Sequence, residues 1–170
     1  MTDRNPTQMD AGQRGDRFAY DPDTQPELFD GVLSKRIVAF VVDALIIVAL
    51  MIPAMLIVFV VGIITFGLGW LLYPVLFVLV ALGYVGFTLG GPTSATVGMR
   101  MAGLEMRTWN GAPMFALLAI MHALLFWFSV GLLTPFILLV GMFTRRRQLL
   151  HDLLLGTVVV NSWPLRHTGK

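Results

Sequence analysis

The sequence contains no cysteine, and charged residues make up only 13% of its 170 residues. The absence of cysteine excludes disulfide bonds and metal sites built on thiolates. A soluble domain usually carries about 25% charged residues, so this composition is atypical of a soluble protein. The sequence also lacks G-x-S-x-G, H-E-x-x-H and P-loop patterns, which mark common hydrolase, metalloprotease and nucleotide sites. We therefore expect no enzyme activity, no bound nucleotide, no metal and no cofactor.

Apolar residues are abundant instead: 56% of the chain is hydrophobic, and three long blocks span residues 37–66, 71–89 and 114–143. Apolar runs longer than about 18 residues are typical of transmembrane helices. As a helix, the first block would be about 45 Å long, more than the hydrocarbon core of a bilayer. We therefore expect that helix to tilt, to kink at Pro53 or to emerge from the membrane. Phe66 to Trp70 is predicted to be a turn.

The positions of lysine and arginine predict the orientation, because short cytoplasmic loops carry an excess of these residues. Lys35 and Arg36 precede the first block, and Arg100 and Arg107 follow the second, so the N-terminus is expected in the cytoplasm. A single crossing by the third block would place the basic cluster of residues 145–147 outside. A hairpin or re-entrant segment turning between residues 131 and 135 would return that cluster to the inside. The hairpin is favoured, and the single span stays open.

The same basic cluster, Arg145, Arg146 and Arg147, has two interpretations, of which the first is a lipid-facing cluster. It could bind anionic headgroups, each residue contributing about 1 kcal/mol near the surface. It is also what the positive-inside rule requires of any cytoplasmic flank. We prefer the second interpretation. The chain has a net charge of +2, but its basic residues stand beside apolar blocks and do not form a separate face, so no nucleic acid is expected.

Two short segments outside the apolar blocks are predicted to be strands: residues 101–108 and the β-branched run at residues 156–161. Each is too short to be stable alone, and pairing with each other would stabilise both. That pairing requires both to lie on the same side of the membrane. The predicted fold class is therefore an all-α membrane protein. It has two transmembrane helices, a third apolar block of open path, and a small cytoplasmic β element.

The chain divides by composition into a domain with two tails. Residues 1–30 are polar and cannot bury enough apolar surface to offset ordering. They are therefore predicted to be a disordered cytoplasmic tail. Residues 31–163 form the transmembrane domain, and residues 164–170 are predicted to be a C-terminal tail.

Asp43 is the only ionisable residue in the first apolar block. A carboxylate at that depth costs several kcal/mol unless it is neutralised, paired or hydrated. Arg36 lies seven residues earlier, on the same helical face but about 10 Å away along the axis. That is too far for direct contact, so Asp43 needs a partner from another segment, or water. It is either a structural partner for Arg36 or Arg100, or a group that exchanges a proton or cation.

Two further sites carry titratable side chains. His122 is the one titratable residue of the third block, and it either lines a pathway or donates a hydrogen bond to a neighbouring helix. His151 and Asp152 follow the basic cluster. They either position the C-terminal segment or form a pair that tunes protonation near an ion path. The structural interpretation is preferred in both cases.

Four segments in order carry a family resemblance. They are Lys35–Ala39 leading to Asp43, residues 90–100, residues 103–111 and residues 146–157. The second contains Gly-Gly-Pro-Thr and then Thr-Val-Gly-Met-Arg. Together these segments resemble the RDD family of small bacterial membrane proteins, over about residues 32–161.

The family takes its name from one arginine and two aspartates, and Arg36, Asp43 and Asp152 match those positions. Met99 stands where the family's Thr-x-Gly-Lys-Arg pattern has lysine, so any function of that lysine is absent here. The resemblance implies a multi-pass protein of the bacterial cytoplasmic membrane. It also implies a role in transport, with cation/proton exchange among those suggested.

On that basis Asp43 is the expected exchanging group, and Arg36 and Asp152 are its charge partners. Two membrane helices cannot enclose a path, so transport would need a homo-oligomer or a membrane partner protein. The alternative is a non-transporting scaffold or assembly protein whose buried charges fix helix packing.

Overall fold

The computed structural model of the protein describes residues 19–128 and 148–167. Its largest feature is an antiparallel pair of apolar helices, α1 (Val32–Ile64) and α2 (Tyr73–Leu89), joined through a 3-10 turn at Leu68–Leu72. Both helical segments are long and apolar enough to cross a membrane, and most of their apolar surface faces away from the protein. They contain the two apolar blocks that the sequence predicts to be transmembrane helices.

Helix α1 has 33 residues and continues through Pro53, which makes it about 50 Å long. It begins five residues before the first apolar block. The tip of the hairpin is tightly packed, because a Cβ added to Gly62 would overlap the indole of Trp70. The indole N–H of Trp70 also donates to the carbonyl of Phe59. Glycine at this position lets the turn fold back onto α1.

The remaining elements gather where α1 begins at Val32 and α2 ends at Leu89, which we call the polar end. They are α3 (Val97–Met101), β1 (Leu104–Thr108), α4 (Ala116–Phe128), α5 (Leu150–Leu155), β2 (Thr157–Asn161) and α6 (Ser162–His167). Strands β1 and β2 pair antiparallel, with Leu104 opposite Asn161 and Thr108 opposite Thr157. The predicted two-strand element is therefore confirmed.

Helix α4 packs along α2 from the polar end. Ala116 lies against Gly90, and Ile120 lies against Gly86. Further along, the rings of Trp127 and Phe77 stack with centroids 5.6 Å apart. The choice between a hairpin and a single crossing for the third block depends on residues 129–147, which lie outside the described residues, as does the basic cluster.

A buried apolar cluster at the polar end joins α1, α2, α3, α4 and both strands. Helix α1 and the β element are thereby held in one core. Its fully buried members include Val32, Leu104, Ala119 and Val159.

A second cluster covers the other face of β2, and parts of the two predicted tails, within residues 19–30 and 164–167, pack on it. Leu28 and Phe29, beside a 3-10 turn at Pro26–Leu28, are 2% and 4% exposed and pack on Val158 and Val160. Leu165 of α6 packs on the same cluster. The β-branched run of β2 is apolar on both faces, so the face turned away from the first cluster needs cover from both flanking segments. Residues 1–18 and 168–170 lie outside the described residues.

A candidate cation site at the polar end

Arg36 and Asp152 form an ion pair at the polar end. Nη1 of Arg36 donates to Oδ2 of Asp152 at 2.6 Å, and the two side chains are 13% and 0% exposed. The same Oδ2 accepts the backbone N–H of Leu149 at 3.0 Å, so Asp152 also caps its own short helix, α5. Two donors thereby fix this oxygen and the plane of the carboxylate.

The other oxygen, Oδ1 of Asp152, faces two imidazoles. Nδ1 of His122 and Nε2 of His151 each lie 3.7 Å from it, which is too long for a hydrogen bond. The hydroxyl of Thr157 is 3.5 Å away. His122 and His151 are 9% and 2% exposed, and their rings meet edge to face with centroids 4.6 Å apart. We call His122, His151 and Asp152 the His-His-Asp cluster.

Electrostatics keep the carboxylate of this cluster ionised. Complete burial would by itself raise the pKa of Asp152, but the charge of Arg36, with both histidines and the Leu149 N–H, lowers it below its ordinary value of 3.8. The pKa of His151 is lowered from 6.5, mainly by burial and further by Arg36, although Asp152 opposes the shift. A neutral imidazole beside an ionised carboxylate is the protonation state in which both groups can act as metal ligands.

Several buried nitrogens around Asp152 have no hydrogen-bond acceptor among the described residues. They are Nε and Nη2 of Arg36, Nδ1 of His122 and Nδ1 of His151. Buried polar atoms are nearly always satisfied in native proteins, and exceptions often mark a functional role. Among them, Nδ1 of His122 also faces Oδ1 of Asp152 at 3.7 Å, so it is the orphaned atom that a bound cation would satisfy.

Asp43 occupies a different environment. Its Oδ1 accepts hydrogen bonds from the hydroxyl of Tyr84 at 2.5 Å and the backbone N–H of Gly98 at 2.7 Å. Its Oδ2 accepts the hydroxyl of Thr96 at 2.5 Å. Thr96 in turn accepts the N–H of Met99, capping α3. Asp43 therefore ties the part of the α1–α2 hairpin nearer the polar end to the start of α3.

Glycine at position 98 is required for this arrangement. A Cβ there would overlap the carbonyl oxygen of Ala39 and would lie 2.8 Å from the carboxyl carbon of Asp43. The Thr-x-Gly part of the motif is thus explained by its contact with the first aspartate: threonine donates a hydroxyl, and glycine lets its own N–H approach.

The structure brings together three predicted residues and separates others. His122, His151 and Asp152 meet, and Arg36 pairs with Asp152. Asp43 is not part of this group, and in the described part of the chain no cationic side chain lies within ion-pair distance of it. It does have partners from other segments, as expected, but these partners are neutral donors.

Two other predicted positions do not join either site. Arg100 is exposed on α3. Met99, which stands in place of the family lysine, is buried in the core with 8% exposure. Arg36 and Arg100 were the two cationic partners considered for Asp43, but its hydrogen bonds come from Tyr84, Thr96 and Gly98.

Sequence reasoning missed two features of the polar end. Tyr84 lies 41 residues from Asp43 in an apolar block, where tyrosine is common, so no pattern identifies it. Asn161 is a hydrogen-bond hub: its Oδ1 accepts from Lys35 at 2.6 Å, and its Nδ2 donates to the carbonyls of Glu27 and Asp30, each at 2.9 Å. That hub links the start of α1 to β2.

The His-His-Asp cluster has the composition of a metal site. Each residue offers one ligand atom, and these atoms lie within 4.8 Å of one another. No sequence pattern indicates the cluster, because His122 and His151 are 29 residues apart and meet only through tertiary packing. The expectation of no metal came from the lack of cysteine and of local ligand motifs, and neither absence excludes ligands that tertiary packing assembles.

Comparison with known proteins supports the family resemblance. The pattern of the RDD family matches residues 31–156, about three quarters of the chain, and it includes Arg36, Asp43 and Asp152. No curated protein and no solved structure matches the chain. With its two apolar helices, the protein is a membrane protein, and it belongs to the RDD family.

Proposed function

We propose that this protein transports a cation across the bacterial cytoplasmic membrane and that the His-His-Asp cluster binds the cation. The observation that carries the proposal is the environment of Asp152 Oδ1. This oxygen is fully buried and faces two imidazole nitrogens at 3.7 Å without a short bond to either. A shared ion between these three atoms would give the unpartnered Nδ1 of His122 a partner and would bring Oδ1 and Nε2 of His151 into direct coordination.

Asp152 is a better candidate for the cation-binding group than Asp43. Both oxygens of Asp43 already accept short hydrogen bonds from Tyr84, Thr96 and Gly98. A cation at Asp43 would have to displace one of these donors and loosen α3. At Asp152 the two short contacts both go to Oδ2, so Oδ1 can bind an ion while Arg36 keeps the carboxylate oriented.

Transport also requires a path, which the described helices do not enclose alone. Most of the apolar surface of α1 and α2 faces outward. We therefore propose that the protein works as a homo-oligomer or with a membrane partner protein that supplies further helices. The lipid bilayer covers the rest of that surface.

The test is cation flux into proteoliposomes that contain the purified full chain, with Na⁺, K⁺, Mg²⁺ and Zn²⁺ offered separately. We expect flux of at least one cation and its loss in His122→Phe and in His151→Phe. Phenylalanine keeps the aromatic volume and removes the ligand atom, so folding should be retained.

The matched control is Phe126→Leu, which alters the ring that packs on His151 with a centroid distance of 5.3 Å but removes no ligand. Its flux should remain. Absence of flux of every cation through folded wild-type protein would contradict transport by this chain alone, and flux that survives both histidine changes would contradict the site.

A second candidate function is a membrane scaffold whose buried charges fix helix packing. The specific observation that favours it is the saturated Asp43, which joins α1, α2 and α3. Asp43→Asn would weaken hydrogen bonds to a charged group, each contributing about 1.5–3 kcal/mol, and thermal unfolding in detergent would show the loss. Under the scaffold hypothesis the His122→Phe and His151→Phe variants keep full function in cells. Under the transport hypothesis they do not.

A further inference from the structure

We infer that the His-His-Asp cluster is a site for a divalent transition-metal ion of the Zn²⁺ class. This inference specifies which class of cation binds at the site proposed above. It rests on the proposed function only for the claim that the bound ion is transported. Metal binding itself follows from the geometry of the described residues.

The donor set selects the class of metal. The cluster offers nitrogens from His122 and His151 and one carboxylate oxygen from Asp152. Imidazole ligands suit Zn²⁺, Co²⁺, Ni²⁺ and Fe²⁺, whereas Mg²⁺ and Ca²⁺ prefer sites made of oxygen atoms. Alkali cations likewise gain little from imidazole nitrogen. A site with two nitrogen ligands and one oxygen ligand therefore predicts a borderline transition metal.

The distances fit such an ion. Ligand atoms bound to tetrahedral zinc at about 2.0–2.1 Å lie about 3.4 Å from one another. Oδ1 of Asp152 lies 3.7 Å from Nδ1 of His122 and 3.7 Å from Nε2 of His151. These two distances are a few tenths of an ångström too long, and the imidazole nitrogens lie within 4.8 Å of each other. Complete coordination therefore requires the imidazoles to rotate toward each other until all three distances approach about 3.4 Å.

The surroundings of Asp152 are those expected around a metal ligand. Ligating carboxylates are usually hydrogen-bonded in turn, and such contacts orient the ligand. Here Arg36 at 2.6 Å and the Leu149 N–H at 3.0 Å both bind Oδ2, which leaves Oδ1 directed at the imidazoles. The orphaned Nδ1 of His122, a residue 9% exposed, gains a partner when a metal binds.

The number of protein ligands indicates that a bound metal ion can leave the site again. Structural zinc sites are closed by four protein ligands, whereas sites with three keep an open position for water or another ligand. The charge of Arg36 beside the carboxylate also repels a divalent ion. Among residues 19–128 and 148–167 the cluster has three ligands. Three ligands and a neighbouring cation together predict binding that is reversible, as a transported ion requires.

The experiment uses the full-length protein in detergent, purified through an affinity tag that lacks histidine. Zn²⁺ binding is measured by titration calorimetry, and Co²⁺ is used as a spectroscopic probe through its visible ligand-field bands. We expect one Zn²⁺ per chain, Co²⁺ bands with nitrogen coordination, and no binding of Mg²⁺. His122→Phe and His151→Phe should each weaken Zn²⁺ binding by more than about tenfold.

The matched controls are Phe126→Leu, which removes no ligand, and Asp43→Asn, which alters the other buried aspartate. Both should bind Zn²⁺ as the wild type does, provided that a thermal melt shows them folded. Folded wild-type protein that binds no Zn²⁺ and gives no Co²⁺ bands would overturn the inference. Equal binding by the wild type and both histidine variants would overturn it as well.

The binding and flux experiments test the metal site and the transport proposal separately. Zn²⁺ binding through both histidines without flux of any cation would support the metal site and contradict the transport proposal. Flux of Na⁺ or K⁺ by protein that binds no Zn²⁺ would support transport and overturn the metal inference.

Discussion

Arg36 and Asp152 stand 116 residues apart in the sequence and lie 2.6 Å apart in the structure. The pair joins the start of the first transmembrane helix to the helix that precedes β2. It neutralises two mostly buried charges, and it leaves one oxygen of Asp152 facing His122 and His151. The family's arginine and second aspartate therefore act together, while Asp43 has a separate role.

Breaking this pair should destabilise the protein. Asp152→Asn leaves a mostly buried arginine without its anion, and loss of one partner of a buried ion pair typically costs about 3–5 kcal/mol. We expect a clearly lower melting temperature in detergent. The comparison is Glu105→Gln, which removes the Glu105–Arg107 pair of β1. Glu105 is buried there but Arg107 is 25% exposed, so solvent can still stabilise the arginine and we expect a smaller loss. An equal loss in both variants would contradict a special role for Arg36 and Asp152.

Gly98→Ala should disturb the contact between α3 and α1. The added Cβ would overlap the carbonyl oxygen of Ala39, which is main chain and cannot rotate away. We expect destabilisation and weaker hydrogen bonding to Asp43, measured by thermal unfolding in detergent. Gly83→Ala is the matched control, because nothing lies within 4 Å of a Cβ there and alanine favours a helix by about 1 kcal/mol. A Gly98→Ala protein as stable as Gly83→Ala would show that the close approach is not needed.

Stability should fall on mild acidification in metal-free buffer. Because burial lowers the pKa of His151 from 6.5, the unfolded chain takes up a proton more readily than the folded protein below that value. The lowered pKa of Asp152 acts in the same direction below its ordinary 3.8. His151 therefore adds no pH dependence above about pH 6.5 and lowers the free energy of unfolding as the pH falls below that value. Asp152 stabilises the fold fully above about pH 3.8 and loses this contribution only below it.

The measurement is the melting temperature between about pH 8 and pH 5, compared between the wild type and His151→Phe. The variant lacks the imidazole, so its curve should be flatter over this range. If the melting temperatures of the two proteins fell equally with pH, His151 would not be the group responsible for the loss of stability.

The predicted orientation can be tested because the chain has no native cysteine. Thr24→Cys places a thiol in an exposed segment at the polar end, and Leu68→Cys places one at the hairpin tip, where Leu68 is 71% exposed. In intact cells, a membrane-impermeant maleimide should label position 68 and leave position 24 unlabelled until the cells are lysed. The reverse pattern would place the polar end outside.

Local patterns predicted much of the fold. Apolar run length identified the two membrane helices, because a bilayer imposes a minimum length. Two short β-branched or turn-flanked segments predicted the β pair, since neither is stable alone. Leu28 and Phe29 suggested a short amphipathic lead-in at the membrane interface, but their packing on β2 was not predicted. These residues are buried because they cover the face of β2 that carries Val158 and Val160.

The site was only partly predictable for the same reason. A charge in an apolar block marks Asp43 as unusual, and the family resemblance marks Arg36 and Asp152. Tertiary packing determines which charged side chains pair, and the periodicity of a single helix does not predict those pairs. The grouping of His122 with His151 depends on how α4 packs beside α5, so no local pattern could have shown it.

The most direct test of the central claim is X-ray absorption spectroscopy of the Zn²⁺-loaded full-length protein, compared with His151→Phe. The His-His-Asp cluster predicts ligands at about 2.0–2.2 Å, with scattering from the ring atoms of two imidazoles that is reduced in the variant. Zinc coordinated only by oxygen atoms, or an identical spectrum for the two proteins, would contradict the claim.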